Sequence, residues 1–338
     1  MRRSLLRLRI PLREPFVTSG GVLAERDLVV VRLDDDEGVT GFGEAAPLAS
    51  YDGERLDEQV WEALRDGPPP RGAPPQARTA WEMAELDLQT RRRERPLAPP
   101  GADAIPVNWT LPAGPPREVA EAAAGAARRG YSCMKVKIGL PDDAERVAAV
   151  RDAIGPWPAL RVDANGALGV DEAAERIVAL EPYDLQLVEQ PCATLEEMAQ
   201  LRPQVAVPIA ADESVRTADD VRDAARLGAC EAVNVKLASA GGFLPARDAV
   251  RAARDTGLEV WLSSTLDGPW GIAAALQLAA SEGVSLACGL ATLELFDARL
   301  ARSLPAPSAG LMAVPAGPGL GVDVDDDALA EVLVEELH

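Results

Sequence analysis

The sequence predicts a (β/α)8 TIM barrel preceded by a smaller α+β layer. From residue 105 onward, eight short apolar segments recur at intervals of roughly 23–28 positions, the spacing of strand–helix units in such a barrel. The segments are residues 105–110, 133–138, 160–163, 185–189, 208–212, 232–236, 259–263 and 285–288. An open doubly wound sheet is the alternative, but these units contain no G-x-G-x-x-G turn of the kind that fold carries.

Ala-rich stretches with the spacing of amphipathic helices separate the predicted strands. They are residues 116–129, 141–154, 171–180, 194–201, 218–227 and 245–256. Asp171, Thr194 and Thr217 each precede a helical pattern. We predict that they cap the helix N-termini, because their side-chain oxygens can accept hydrogen bonds from the first backbone N–H groups.

The first hundred residues predict a separate α+β layer. It contains predicted strands at 5–10, 28–33 and 38–44 and predicted helices at 56–64 and 77–92. The Pro- and Gly-rich tail is predicted to end in a helix over 326–337. We therefore expect a capping domain at 1–100, a catalytic barrel at 101–303 and a tail at 304–338 that returns to the cap. Residues 18–25 and 47–52 are predicted to act as lids over the barrel mouth.

The composition limits both partners and chemistry. The 338 residues carry a formal net charge of −20, which argues against nucleic acid or an anionic membrane as partner. No apolar run approaches the ~18–20 residues of a membrane span. The four cysteines form no C-x-x-C pair, so we expect buried thiols in a cytoplasmic protein, with the oligomeric state open and a monomer possible. Only three of the 34 basic residues are lysine, and the lone histidine is His338, which excludes histidine-based triads, metal sites and bases.

Charged residues stand on five consecutive predicted strands, where barrel enzymes have their active sites. They are Lys135 and Lys137 on the second strand, followed by Asp163, Glu189, Asp212 and Lys236 on the next four. A single carboxylate at such a position can equally be a helix cap, but five strands in succession indicate a site. Three carboxylates without a His or Cys partner favour Mg²⁺, and Mn²⁺ could substitute for it.

The lysines indicate proton transfer. Lys135 and Lys137 are two positions apart on a strand, so both side chains are expected to face the barrel interior. Two ammonium groups close together near a divalent cation should depress each other's pKa and leave one neutral as a base. Lys236 approaches the metal from the opposite side. This arrangement suits abstraction of a proton alpha to a metal-bound carboxylate, so a small-molecule carboxylate is the expected substrate.

Five short motifs resemble those of the enolase superfamily. They are Lys135-Val136-Lys137, Asp163-Ala164-Asn165, Val188-Glu189-Gln190-Pro191, Ala211-Asp212-Glu213-Ser214 and Asn234-Val235-Lys236. The K-x-K pair and the second barrel lysine are similar to the muconate-lactonizing-enzyme subgroup. The resemblance covers the whole chain, and it implies a modified, enolase-like barrel with an α+β cap, Mg²⁺ and a lysine base. The absence of an internal histidine excludes the branch that resembles mandelate racemase and uses a His base.

Further positions distinguish between the activities of this subgroup. Residues 106–108, Ser263-Ser264 and 289–292 are similar to the o-succinylbenzoate synthase family, and they imply room for a succinyl chain whose carboxylate reaches backbone N–H groups. Dipeptide epimerases usually carry Asp-x-Asp on the eighth strand, whereas residues 287–292 contain no acid. Ser239 stands where racemase-type relatives commonly carry an arginine.

The resemblance implies Mg²⁺-dependent dehydration of 2-succinyl-6-hydroxy-2,4-cyclohexadiene-1-carboxylate, a step of menaquinone biosynthesis. Lys137 would remove the alpha proton and protonate the departing hydroxide, Lys236 would stabilise the enediolate, and Lys135 would orient the carboxylate. The other implied residues are Asn165, Ser263, Ser264 and Gly289 for the substrate and Asp163, Glu189 and Asp212 for the metal. Glu213 is either a supporting residue or a structural partner of the next helix. The alternatives are an N-succinylamino acid racemase, another enzyme of the subgroup and, more distantly, a non-catalytic barrel used as a binding module.

Overall fold

The computed structural model describes residues 1–18, 21–48, 56–304 and 306–338, and its N-terminal layer is an antiparallel sheet. The layer consists of β1 (Arg2–Thr18), β2 (Gly21–Asp34), β3 (Thr40–Ala45), α1 (Leu56–Leu64) and α2 (Pro75–Arg92). A hydrophobic cluster of its own joins the sheet to the two helices. Helix α2 lies so close to β3 that a Cβ atom on Gly41 or Gly43 would overlap the helix backbone, so only glycine permits this approach.

The first predicted barrel segment, 105–110, is divided in two. Strand β4 (Ala104–Pro106) pairs antiparallel with Leu311–Ala313, and only the two residues of β5 (Trp109–Thr110) join the barrel sheet. Six further parallel strands follow in chain order around the sheet. They are β6 (Cys133–Lys137), β7 (Ala159–Asp163), β8 (Leu185–Glu189), β9 (Ile209–Ala211), β10 (Ala232–Val235) and β11 (Glu259–Leu262).

The predicted eighth strand, 285–288, is wrong as a regular strand, because the described chain contains only isolated bridges there. These bridges still close the barrel. Cys288 N–H donates to Pro106 O at 2.8 Å on one side, and Gly289 N–H donates to Leu262 O at 2.8 Å on the other. A Cβ atom on Gly289 would lie 2.7 Å from Ser263 Cβ, so glycine is required for the two segments to meet.

Helices lie between the barrel strands, and every predicted one is present with its ends shifted by at most two residues. They are α3 (Pro116–Arg128), α4 (Asp143–Ile154), α5 (Val170–Leu180), α6 (Leu195–Leu201), α7 (Ala218–Leu227), α8 (Leu237–Ala240), α9 (Phe243–Thr256) and α10 (Pro269–Ser281). Helix α10 is not among the predicted helices, because it is buried on almost every side and has no polar face to give an amphipathic pattern.

Two of the three predicted helix caps are confirmed. Thr194 and Thr217 each accept the N3 backbone N–H in a capping box. Asp171 is not a cap, because α5 begins at Val170 with Gly169 before it, and Asp171 lies in the first turn. There its negative charge still favours the helix N-terminus.

The predicted C-terminal helix over 326–337 is wrong in its second half. After β12 (Leu311–Ala313), the chain forms α11 (Asp326–Val332) and then β13 (Leu333–Leu337). Strand β13 pairs antiparallel with the edge of β1, with Leu337 opposite Leu5. The edge of β1 offers backbone N–H and C=O groups without partners, and pairing with them outweighs the local helical pattern.

The described residues of the predicted lids form strands or irregular backbone, and Thr18 is the last residue of β1. Residues 21–25 belong to β2, residues 19–20 and 49–55 lie outside the described chain, and Pro47 and Leu48 have no regular secondary structure. The described helices include none that is long and apolar enough to cross a membrane.

Glu82 on α2 connects the cap to the barrel. Its carboxylate accepts the backbone N–H groups of Phe243, at 2.5 Å, and Leu244, at 3.3 Å, in the first turn of α9. The residue before this turn, Gly242, has φ of 134°, and a side chain there would overlap the Glu82 carboxylate. Burial raises the pKa of Glu82 to about 7, although the two N–H donors oppose this shift.

Glu82→Gln should flatten the pH dependence of stability. Because the folded pKa of Glu82 lies above its unfolded value, its contribution to stability is complete below about pH 4.5 and is lost as the pH rises through 7. We expect the free energy of unfolding of the wild type to fall between pH 5 and 8 by about 1–2 kcal/mol more than that of the variant. Urea unfolding at several pH values measures this. Glu85→Gln, at an exposed position of the same helix, is the control, and parallel profiles for wild type and Glu82→Gln would contradict the assignment.

Candidate active site

A cavity of about 380 Å³ opens at the carboxyl ends of the barrel strands. Nine of the ten predicted site residues line it: Lys135, Lys137, Asp163, Asn165, Asp212, Lys236, Ser263, Ser264 and Gly289. The tenth, Glu189, is fully buried behind the cavity surface. The barrel therefore brings all of the predicted residues to one place.

Strand register explains this convergence. Lys137 lies beside Asp163 in the pairing of β6 with β7, and Asp163 lies beside Glu189 in the pairing of β7 with β8. Asp212 and Lys236 are the first residues after β9 and β10. Since neighbouring parallel strands end at the same edge, the three carboxylates form an arc with lysine at both ends.

Ammonium and carboxylate groups are directly paired in this arc. Lys135 Nζ lies 2.8 Å from Asp163 Oδ2 and 2.7 Å from Glu189 Oε2. Lys137 Nζ lies 2.6 Å from Asp163 Oδ2 and donates to Asn165 Oδ1 at 2.6 Å. Lys236 forms an ion pair with Asp212. Among the three lysines the side chain of Lys137 is the most exposed, at 23%, so its ammonium group is the most accessible from the cavity.

These contacts determine how the buried groups ionise. Burial by itself lowers the pKa of Lys135, but the carboxylates of Asp163, Glu189 and Asp212 more than offset this and hold the pKa above its usual value. Attraction by the three carboxylates thus outweighs repulsion by the nearby Lys236 ammonium group. The prediction that Lys135 and Lys137 depress each other's pKa beside a divalent cation stays a prediction. Burial raises the pKa of Asp163, but Lys135 and Lys137 more than offset it and hold this pKa well below its usual range.

Carboxylate oxygens are suitable ligands for Mg²⁺, but the three carboxylates are not arranged to hold a metal ion in this structure. Within the described ranges, no three Asp, Glu, Cys or His side chains lie together closely enough to hold a metal ion. Burial raises the pKa of Glu189 to about 7, with Lys135 opposing the shift. Glu189 Oε2 is buried and accepts no hydrogen bond of acceptable geometry, despite the nearby Lys135 ammonium. An all-oxygen donor set with one unsatisfied buried oxygen fits a hard cation, provided that the lysines move aside.

Asn234 is a site residue to which the sequence analysis assigned no role. It is buried, its Nδ2 donates to Glu189 Oε1 at 2.9 Å, and its Oδ1 accepts from Ser263 Oγ at 2.8 Å. Asn234 therefore orients one predicted metal ligand and one predicted substrate-binding hydroxyl. Its position on β10, two residues before Lys236, is the sequence signal that could have identified it.

Asn165, Glu213 and Gln190 support the arc from the loops behind it. Asn165 has φ of 47° and donates from Nδ2 to Glu213 Oε1 at 2.9 Å, and Glu213 also lines the cavity. Glu213 thus contacts a predicted substrate-binding residue, and its supporting role stays a prediction. Gln190 is buried and accepts the backbone N–H of Asp212 at 2.7 Å, which fixes the position of that carboxylate.

Most backbone N–H groups of the predicted succinyl-binding residues already donate hydrogen bonds within the barrel. The N–H groups of Ser263, Ser264 and Gly289 donate to Val235, Gly289 and Leu262, respectively. The hydroxyls of Ser264 and Thr292 are 2.9 Å apart. By contrast, no hydrogen bond from the backbone N–H of Ala291 or Thr292 exists within the described residues, and both residues line the cavity. These two N–H groups are the better candidates to receive a carboxylate.

Comparison with known proteins agrees with this geometry. A sequence model of the family "Enolase C-terminal domain-like" matches residues 118–328. The o-succinylbenzoate synthase of Thermobifida fusca is 37% identical over 335 residues, which cover 96% of this chain and 90% of that protein. The N-succinyl-L-Arg/Lys racemase of Bacillus cereus is 26% identical over 364 residues, covering 98% of this chain and 96% of that protein.

The fold is also shared with solved structures. A dipeptide epimerase from Cytophaga hutchinsonii, complexed with Mg and the dipeptide D-Ala-L-Val, superposes with a TM-score of 0.92 at 26% identity, covering 99% of this chain and 98% of that one. The family match spans more than half of the chain, and the Thermobifida relative spans nearly all of it. This chain therefore belongs to the enolase superfamily, in the family of the o-succinylbenzoate synthases.

Proposed function

We propose that this chain is a lyase that dehydrates 2-succinyl-6-hydroxy-2,4-cyclohexadiene-1-carboxylate to o-succinylbenzoate. The observation that carries the proposal is the arc of Asp163, Glu189 and Asp212 with Lys137 at one end and Lys236 at the other, in a cavity of about 380 Å³. A carboxylate substrate held at the arc would present its alpha carbon between two lysines. The similarity to the o-succinylbenzoate synthase of Thermobifida fusca extends over 96% of this chain and supports the same reaction.

Lys137 is the acid–base residue in this mechanism. Its Nζ takes the proton from the ring carbon that carries the carboxylate, and the electron pair of that C–H bond passes into an enediolate. The C–O bond to the ring hydroxyl then breaks, and the same Nζ returns the proton to the leaving hydroxide on the same face, giving water and an aromatic ring. Asn165 and Asp163, both 2.6 Å from Nζ, hold the ammonium group in place between the two transfers.

Lys236 supplies a fixed positive charge. It is 7% exposed and paired with Asp212, so it faces the ring as a cation that stabilises the enediolate and contacts the π-system of the diene. Lys135, between Asp163 and Glu189, orients the substrate carboxylate. Ser263, Ser264 and Gly289 shape the space for the succinyl chain, whose carboxylate meets the N–H groups of Ala291 and Thr292.

Asp163, Glu189 and Asp212 would hold Mg²⁺, with Mn²⁺ as a substitute. The chemistry that the ion supplies when bound is stabilisation of negative charge on the substrate carboxylate.

A second candidate is an N-succinylamino acid racemase, as an alternative or an additional activity. The full-length similarity to the Bacillus cereus racemase favours it, and the two lysines would act on opposite faces of the alpha carbon. Ser239, at the position where such relatives commonly carry an arginine, is buried and its hydroxyl has no hydrogen-bond partner among the described residues. This residue argues for the dehydration as the main activity.

The remaining expectations are part of the same proposal. We place the protein in the cytoplasm, as a menaquinone-pathway enzyme that acts on a small carboxylate, and leave open its oligomeric state, a monomer included. We also propose the domain boundaries 1–100, 101–303 and 304–338.

Direct assay separates the two candidates. With the cyclohexadiene carboxylate and Mg²⁺, we expect formation of o-succinylbenzoate, loss of this activity on treatment with a chelator and recovery when Mg²⁺ or Mn²⁺ is restored. N-succinylamino acids in D₂O should exchange their alpha hydrogen slowly or not at all. Rapid exchange without dehydration would assign the racemase instead, and metal-independent dehydration would contradict the role of the carboxylates.

Lys137→Arg should lower kcat by about 10³-fold or more, because arginine cannot release a proton near neutral pH. Lys236→Arg is the matched comparison, and it should retain a measurable residual rate because a fixed cation remains. Both variants should keep the wild-type circular dichroism spectrum and bind Mg²⁺ in calorimetric titration. Wild-type turnover by Lys137→Arg would refute the role assigned to Lys137.

A further inference from the structure

Arg26 on β2 is buried between the cap and the barrel, with 3% of its surface exposed. Its guanidinium group donates hydrogen bonds to five backbone carbonyls. The acceptors are Leu266 O at 3.2 Å, Asp27 O at 3.0 Å, Thr265 O at 3.1 Å, Ala46 O at 2.5 Å and Pro47 O. One side chain thus binds three separate segments of the chain.

Two of these segments, one in the cap and one in the barrel, meet at Arg26 and at Thr265. Ala46 and Pro47 follow β3 in the cap, whereas Thr265 and Leu266 follow β11 in the barrel. Thr265 Oγ lies 3.1 Å from Ala46 O, and Asp267 Oδ1 accepts the Thr265 backbone N–H at 3.0 Å. A planar guanidinium with five N–H donors can serve several carbonyls at fixed angles, which a lysine ammonium cannot reproduce.

Leu266 is held in an unfavourable conformation at this junction. Its φ is 60°, in the left-handed region that a leucine seldom adopts. Such a conformation persists only when the surrounding contacts enforce it. The bond from Arg26 Nε to the carbonyl of Leu266 is one such contact, so loss of Arg26 should allow the loop to relax.

The loop after β11 and the segment after β3 both contribute apolar surface to the substrate cavity. Leu266 and Leu48 both line the cavity, together with Thr265 and Ser264. Leu48 follows directly after Pro47, and Leu266 follows directly after Thr265. Arg26 therefore binds the carbonyl next to each wall residue while lining no part of the cavity itself.

We propose that Arg26 is a positioning residue that sets the apolar wall formed by Leu48 and Leu266 and thereby the affinity of the site for its substrate. It acts through the backbone of residues 46–47 and 265–266 and takes no part in proton transfer. The predicted change in KM rests on the dehydration proposed above.

The experiment compares Arg26→Lys with Arg91→Lys. Arg91 on α2 is a matched control, since it also joins the cap to a distant segment, binding Asp87 at 2.9 Å and the carbonyl of Val322 at 2.9 Å, and neither partner lines the cavity. We expect Arg26→Lys to raise KM for the cyclohexadiene carboxylate about tenfold while kcat changes less than about threefold, the pattern of lost uniform binding. Arg91→Lys should lower the melting temperature but leave KM within about twofold of the wild-type value.

Two further measurements keep the proposal testable. Leu266→Gly removes the wall side chain and suits a positive φ, so it should fold and reproduce the increase in KM with Arg26 intact. Amide hydrogen exchange of residues 262–268 should be faster in Arg26→Lys and unchanged in Arg91→Lys, and it requires no substrate. An unchanged KM in Arg26→Lys or Leu266→Gly, an equal increase in Arg91→Lys, or unchanged exchange at 262–268 would overturn the proposal. Absence of wild-type turnover would instead overturn the dehydration, and hydrogen exchange would then still decide whether Arg26 fixes the wall.

Discussion

The mouth of the barrel depends on the balance between three ammonium groups and three buried carboxylates. Asp163 is central to it, because Lys135 and Lys137 both lie within 2.8 Å of the same oxygen of its fully buried carboxylate. An unpaired charge in such a place costs several kcal/mol, so each carboxylate needs a cation and each lysine needs an anion. If the three carboxylates hold Mg²⁺, as proposed, the ion would weaken their attraction for the lysine ammonium groups.

The order of the barrel strands brings these ammonium and carboxylate groups together. Lysine and carboxylate side chains leave consecutive parallel strands at one edge, so groups far apart in sequence become neighbours without a specialised loop. Leu48 from the cap and Leu266 from the loop after β11 add apolar surface to the same cavity. Charge at one wall and apolar surface at the other suit a substrate with a carboxylate on an unsaturated ring.

Much of the barrel and the convergence of the site could be predicted because they follow from local periodicity. The pair Lys135 and Lys137 must share a face in any strand, and the strand-end residues of a parallel barrel must meet. The rest depends on contacts between distant segments. Leu333–Leu337 forms a strand only because the edge of β1 is available, and the role of Arg26 requires a loop 240 positions away. The ion pairs of Lys135 likewise depend on distances that a sequence does not contain.

The most direct test of the account is a crystal structure of the protein soaked with Mn²⁺ and recorded with anomalous diffraction. We predict one strong anomalous peak with oxygens of Asp163, Glu189 and Asp212 at about 2.0–2.2 Å, near the distance expected for Mg²⁺, and Lys135 Nζ displaced from both of its carboxylates. A structure in which Mn²⁺ binds elsewhere, or in which the lysine–carboxylate pairs persist at saturating Mn²⁺, would contradict the central claim that this arc is a metal site flanked by lysines.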